Sequence, residues 1–100
     1  LRDRYVVLLR SGHPMRQRLQ KLRGAAQLRA LQQLDFVAVR THVDTLRILQ
    51  RTGLQERLRL TTEHFMVLPS IVQATDLCGV MPRNIAQGFV QAGGCAVVEP

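Results

Sequence analysis

Five short runs of apolar, β-prone residues recur along the chain, separated by stretches with the three-to-four-residue recurrence of helices. Tyr5-Val6-Val7-Leu8-Leu9 is the first run, and Ser11-Gly12-His13-Pro14 ends it with turn residues. Residues 15–26 carry helix formers interrupted by Gly24 and fit no single template. Leu28, Leu31 and Leu34 mark a short helix before Asp35. Phe36-Val37-Ala38-Val39 is the second strand. Thr41 then reads as an N-cap, with Asp44 at the third helical position, where a carboxylate favours the positive helix end. Val43, Leu46 and Leu49 trace one face of that helix, Gly53 suits the position after its end, and Leu54 supplies the following apolar contact.

Arg57-Leu58-Arg59-Leu60-Thr61 alternates polar and apolar residues, predicting a strand with one wet face. Pro69 is best tolerated in a first turn, so the next helix is expected to start near Phe65 or Met66 and to include Ile71, Val72 and Thr75. Leu77-Cys78-Gly79-Val80-Met81 is the fourth strand. Pro82 opens a helix with the pairs Ile85/Phe89 and Ala86/Val90, and Gly93-Gly94 closes it. Cys95-Ala96-Val97-Val98 is the last strand.

Strands alternating with single helices predict an α/β fold: an open, mostly parallel sheet with helices on both faces. Its expected core comprises Val7, Leu9, Val37, Val39, Leu46, Leu49, Ile71, Val80, Ile85, Phe89 and Val97. Sheets of this kind take ligands outside the carboxyl ends of their strands. Here those ends carry Ser11-Gly12-His13, Arg40-Thr41-His42, Thr61 to Phe65 and Pro82-Arg83-Asn84.

Composition narrows the picture. Hydrophobic residues make up 46% of the 100, which argues for a packed core, and no apolar stretch approaches the roughly 20 residues that span a bilayer. Leu1-Arg2-Asp3-Arg4 does not read as a signal peptide, and the chain has the look of a fragment. Net charge is +7, all of it local: residues 1–34 hold eight basic side chains against Asp3, whereas residues 35–100 balance six Arg against six acids. The densest part, Arg16 to Arg23, has no aromatic residue to stack on a base, and no recognition-helix, zinc-finger or RNA-binding pattern is present. It reads as a solvated basic face. Cys78 and Cys95 lie far apart in apolar segments, as buried free thiols do.

No nucleotide-binding glycine motif and no nucleophile elbow occurs. His13, His42 and His64 lack metal-site spacing, so no metal, cofactor or catalytic group is expected. What remains is polar residues at helix starts. Helix N-termini carry unpaired N–H groups that suit an anion, and Arg adds a fork matched to a carboxylate. The expected binding residues are therefore Thr41, His42, Arg40, His13, His64 and Phe65, the last offering an apolar surface.

Two passages resemble a known family. Arg4-Tyr5-Val6-Val7-Leu8-Leu9-Arg10-Ser11-Gly12-His13-Pro14-Met15 is similar to the strand and "HPL" turn that open the second lobe of LysR-type effector-binding domains. Asp76-Leu77-Cys78-Gly79-Val80-Met81-Pro82-Arg83 resembles that family's "GlGvallP" step, followed by Asn84-Ile85-Ala86. The basic segment Arg16 to Arg23 is longer than usual. The resemblance implies a non-enzymatic, cytoplasmic sensor lobe of type 2 periplasmic-binding-protein-like fold spanning 1–100, with 1–10 and 95–100 as crossovers to a first lobe. It implies a small, anionic organic effector held between lobes, and a homo-oligomer for which Asp44 to Thr52 is the candidate contact helix. DNA would be bound only through a separate helix-turn-helix domain. One lobe of a periplasmic solute-binding protein stays open as an alternative.

Overall fold

The computed structural model describes residues 4–99. The outermost parts of the predicted crossovers, residues 1–3 and 100, lie outside the described residues. β1 (Tyr5–Arg10) is followed by α1 (Arg16–Lys21), α2 (Gly24–Leu31), β2 (Phe36–Val39) and α3 (Val43–Arg51). Then come β3 (Leu58–Thr62), α4 (Leu68–Ala74), β4 (Cys78–Pro82), α5 (Arg83–Ala92) and β5 (Cys95–Val98). Short 3₁₀ turns at Leu54–Arg57 and Phe65–Val67 precede β3 and α4.

The strand order is β3-β2-β4-β1-β5. β2 runs parallel to β3 and β4, while β1 is antiparallel to both its neighbours, β4 and β5. Four strands thus share one direction, and β1, between β4 and β5, opposes them. The mostly parallel sheet is present, with one strand reversed. The cause lies in the stretch between β1 and β2. A single helix would return the chain for a parallel strand. Here α1 makes one pass and α2, beginning at Gly24 with φ of 58°, makes a second, so β2 starts where β1 ended.

Side chains alternate across the sheet, giving two cores. Val7, Leu9, Phe36, Ala38, Cys78, Val80, Ala96 and Val98 pack with α1, α2 and α3 through Leu19, Leu31 and Leu49. Val6, Leu8, Val37, Val39, Met81 and Cys95 pack with α4 and α5 through Leu68, Val72 and Ala86. Of the expected core, Val7, Leu9, Val37, Val39, Leu49 and Val80 are buried. Leu46, Ile71, Ile85, Phe89 and Val97 are half-buried, packed against the margins of the two clusters. Edge strand β3 is wetter than its alternation predicts: Leu60, on the face expected to be dry, is 43% exposed, and no residue of the strand is fully buried, because an edge strand has a neighbour on one side only. Both cysteines are free and buried.

Candidate functional site at the carboxyl end of the sheet

The carboxyl ends of β2, β3, β4 and β5 meet at one side of the sheet, and because β1 is reversed it is its beginning that joins them: Tyr5 pairs with Pro82. The Arg83 N–H donates to the Arg4 carbonyl at 2.6 Å. The Glu99 carboxylate takes Arg4 and Arg83, each at 3.4 Å, so both ends of the described chain are drawn together here.

His42 organises the β2–α3 step. The sequence points to Thr41 as the N-cap; the structure gives that role to His42 and leaves Thr41 exposed in the turn before it. The shift by one residue follows from the ring itself: Nδ1 accepts from the Thr45 backbone N–H at 3.3 Å and lies 2.7 Å from the Thr45 hydroxyl. An amide N–H can only donate, so Nδ1 is an acceptor and the neutral ring carries its proton on Nε2. The buried Thr45 hydroxyl fixes the ring from below. Asp44 accordingly sits one position earlier than expected, still in the first turn.

Around the imidazole is an aromatic cluster. The Phe65 ring meets it edge-on at 5.0 Å between centroids, and Tyr5 lies 6.4 Å away on a tilted plane. Edge-to-face contacts at such distances are favourable. Phe65 reaches this place because the loop after β3 turns back as a 3₁₀ turn, whose preceding residue, His64, is exposed. Beside the cluster, Arg40 pairs with Glu63 at 2.6 Å while its backbone N–H donates to the Thr62 carbonyl. The hydrogen bond to Glu63 raises the Arg40 pKa, and the same bond, with the cation's charge, lowers that of Glu63. Asn84 turns its side-chain oxygen onto the Ile85 N–H.

The expected residues therefore divide. Arg40, Thr41, His42, His64 and Phe65 gather at the carboxyl end of β2 and β3. His13 does not join them. It follows the last residue of the reversed strand and lies at the opposite end of the sheet. There its Nδ1 accepts from the Met15 N–H at 3.0 Å, leaving Nε2–H to donate to the Asp76 carbonyl at 3.0 Å. Arg10 binds the Asp76 carboxylate beside it. His13 is buried and bonded on both nitrogens, a tie between the exit of β1 and the entry of β4. Sequence reasoning placed Arg83 on this side but missed Tyr5, Arg4 and Glu99. No local signal marks Tyr5 and Arg4, since their place depends on the direction of β1.

Among the described residues there is no cluster of His, Cys, Asp or Glu that could hold a metal ion, and no helix long and apolar enough to cross a membrane.

The family model "LysR substrate binding domain" matches residues 1–100. The chain is 33% identical over 86 residues to the HTH-type transcriptional activator NagR of Ralstonia sp, covering 85% of this chain and 28% of NagR. It superposes with a TM-score of 0.69 on the probable transcriptional regulator PA0477 from Pseudomonas aeruginosa, at 27% identity, covering 95% of this chain and 31% of that one. The regulatory domain of MexT, a transcriptional activator in Pseudomonas aeruginosa, matches in fold with a TM-score of 0.64 at 18% identity, over 100% of this chain and 48% of its own. The fold is thus the α/β, periplasmic-binding-protein-like one of LysR regulatory domains. The chain belongs to the LysR substrate-binding domain family, a family of ligand-binding domains of transcriptional regulators and not of enzymes, and it spans under half the length of each of these relatives.

Proposed function

We propose that the chain is the second lobe of a LysR-type regulator's effector-binding domain, and that the carboxyl end of its sheet is half of the effector cleft. The observation that carries this reading is the convergence of the aromatic cluster Tyr5–His42–Phe65 with Arg40, Thr41 and His64 at the side where Arg4 and Glu99, the first and last described residues, also meet. Such adjacency is what two crossover strands, 1–10 and 95–100, leading to a first lobe require.

The chemistry favours a small organic anion with an apolar body. His42 offers Nε2–H, the start of α3 offers backbone N–H groups, and Phe65 and Tyr5 offer ring surface. Arg40 is held by Glu63, so a carboxylate that reaches its guanidinium displaces that pairing, and the exposed pair gives way at little cost. His13 is no part of this site. Closure of the two lobes on the effector then shifts the population of one oligomer arrangement over another. Helix α3, with Val43 at its start 60% exposed, is the candidate contact. DNA binding belongs to a separate helix-turn-helix domain, and the working compartment is the cytoplasm.

Substitution at His42 in the full-length regulator tests this. His42→Asn keeps a cap acceptor but loses the ring, whereas His42→Ala loses both. Effector-dependent activation should fall by about tenfold or more in each, the worth of one hydrogen bond to a charged group. Full response in His42→Asn would make the imidazole a cap only and sink the reading.

A further inference from the structure

On the face of the sheet that carries α2 and α3, the two helices do not close on each other. Between them, β1 and β4 lies a cavity of about 230 Å³, walled by Tyr5, Leu28, Ile48, Val80 and their apolar neighbours, with Gln27 and Thr52 as polar members. An apolar cavity of about 150 Å³ already holds a benzene ring. No lining residue is charged.

The side-chain donors of Gln27 and Thr52 are already engaged. The Gln27 amide nitrogen shares its two protons among the carbonyls of Leu19, Leu22 and Glu99, at 3.1, 3.2 and 3.3 Å. The Thr52 hydroxyl donates to the Ile48 carbonyl at 2.7 Å. A water needs two to four polar partners to settle in such a space. The mouth is open: Leu28 and Ile48 are half-buried, and Gly24, at the start of α2, is exposed with no side chain to cover it.

We propose that this cavity is a second ligand site, for a small uncharged aromatic or aliphatic molecule, separate from the anion site at the carboxyl end. It does not rest on the cleft reading. The two sites differ in chemistry, one lined by donors and a cation, the other by hydrocarbon. They share Tyr5, whose ring stands between the cavity and His42. Gln27 ties the same wall to Glu99, so occupancy touches both segments that lead out of the lobe.

Titration of the methyl-labelled, full-length regulator with toluene tests the site. Saturable shifts are expected in the methyl groups of Leu28, Leu31, Ile48 and Val80. Ile48→Trp and Leu28→Phe, two half-buried positions where a larger side chain fills the space, should each weaken toluene binding by about tenfold or more, the equivalent of ~1.4 kcal/mol. His42→Asn should leave it unchanged. Absence of saturable shifts, or shifts that persist in both filled variants, overturns the proposal. So do shifts lost in His42→Asn, which would move the molecule to the carboxyl end. Failure of the anion reading shows in the His42 activation assay and leaves the toluene shifts standing.

Discussion

His42 carries two duties on two nitrogens. Nδ1 caps α3, and Nε2 keeps the proton that can meet a ligand. Loss of the cap alone predicts that His42→Ala lowers stability by about 1 kcal/mol, while His42→Asn restores most of it. Denaturant unfolding of the two variants checks this. Phe36 and Phe89 separate in the same way. Phe36 is fully buried between α2, α3 and the sheet, so Phe36→Ala should cost ~3–5 kcal/mol. Phe89 is half-buried, and its truncation should cost about half as much, since part of the ring already faces water. Cys78 is buried beside His13, and burial first, then Asp76 and Asp35, pushes its thiol up to about 12. The folded value lies above the ordinary one of 9.0, so this thiol's contribution is intact below pH 9 and fades as pH rises towards 12. The stability gap between the wild type and Cys78→Ala should therefore hold up to about pH 9 and shrink above it, as measured by denaturation at a series of pH values. A gap that widens would contradict the burial of a neutral thiol.

Among the elements, strands β2 and β5 fall on the residues their apolar runs mark, and the others differ by a residue or two at an end. Composition and punctuation were enough there, because a short β-prone run between turn residues has few alternatives. The helix after β2 was legible too, down to Gly53, which takes a left-handed φ of 76° just beyond α3. Gly53→Ala should therefore cost about 1 kcal/mol, because an alanine side chain resists that conformation. What the pattern left open was residues 15–26. Whether they form one helix or two sets the direction of β1, and with it which end of β1 and which histidine reach the ligand side. Gly24 marked the break but not its geometry. That is why His13 was expected at the site and Tyr5 was read only as the start of the first strand. The step from Thr41 to His42 as cap is a smaller version of the same limit, since either side chain can accept the bond and only packing of Thr45 decides.

For the molecule as a whole, charge and site lie apart. Arg16 and Arg23 spend their guanidinium groups on nearby carbonyls, of Ser11 and of Gln20 and Leu22, while Arg18 and Lys21 stay exposed in the last turn of α1. A basic surface of this kind without stacking side chains predicts only weak DNA binding by the chain alone, lost as salt rises to physiological levels. Fluorescence anisotropy with labelled DNA across a salt series checks it, and sequence-specific binding at physiological salt would contradict it. The two ends of the sheet offer the sharpest contrast. One holds Tyr5, Arg40, Thr41, His42 and Phe65; the other holds His13, tied to Asp76 and Met15. The most direct test is amide chemical-shift mapping on the full-length regulator, with its activating carboxylate identified by a panel screen. Shifts centred on Thr41, His42 and Phe65, with Ser11 to Met15 silent, are the predicted result. Shifts centred on His13 and its neighbours would contradict it.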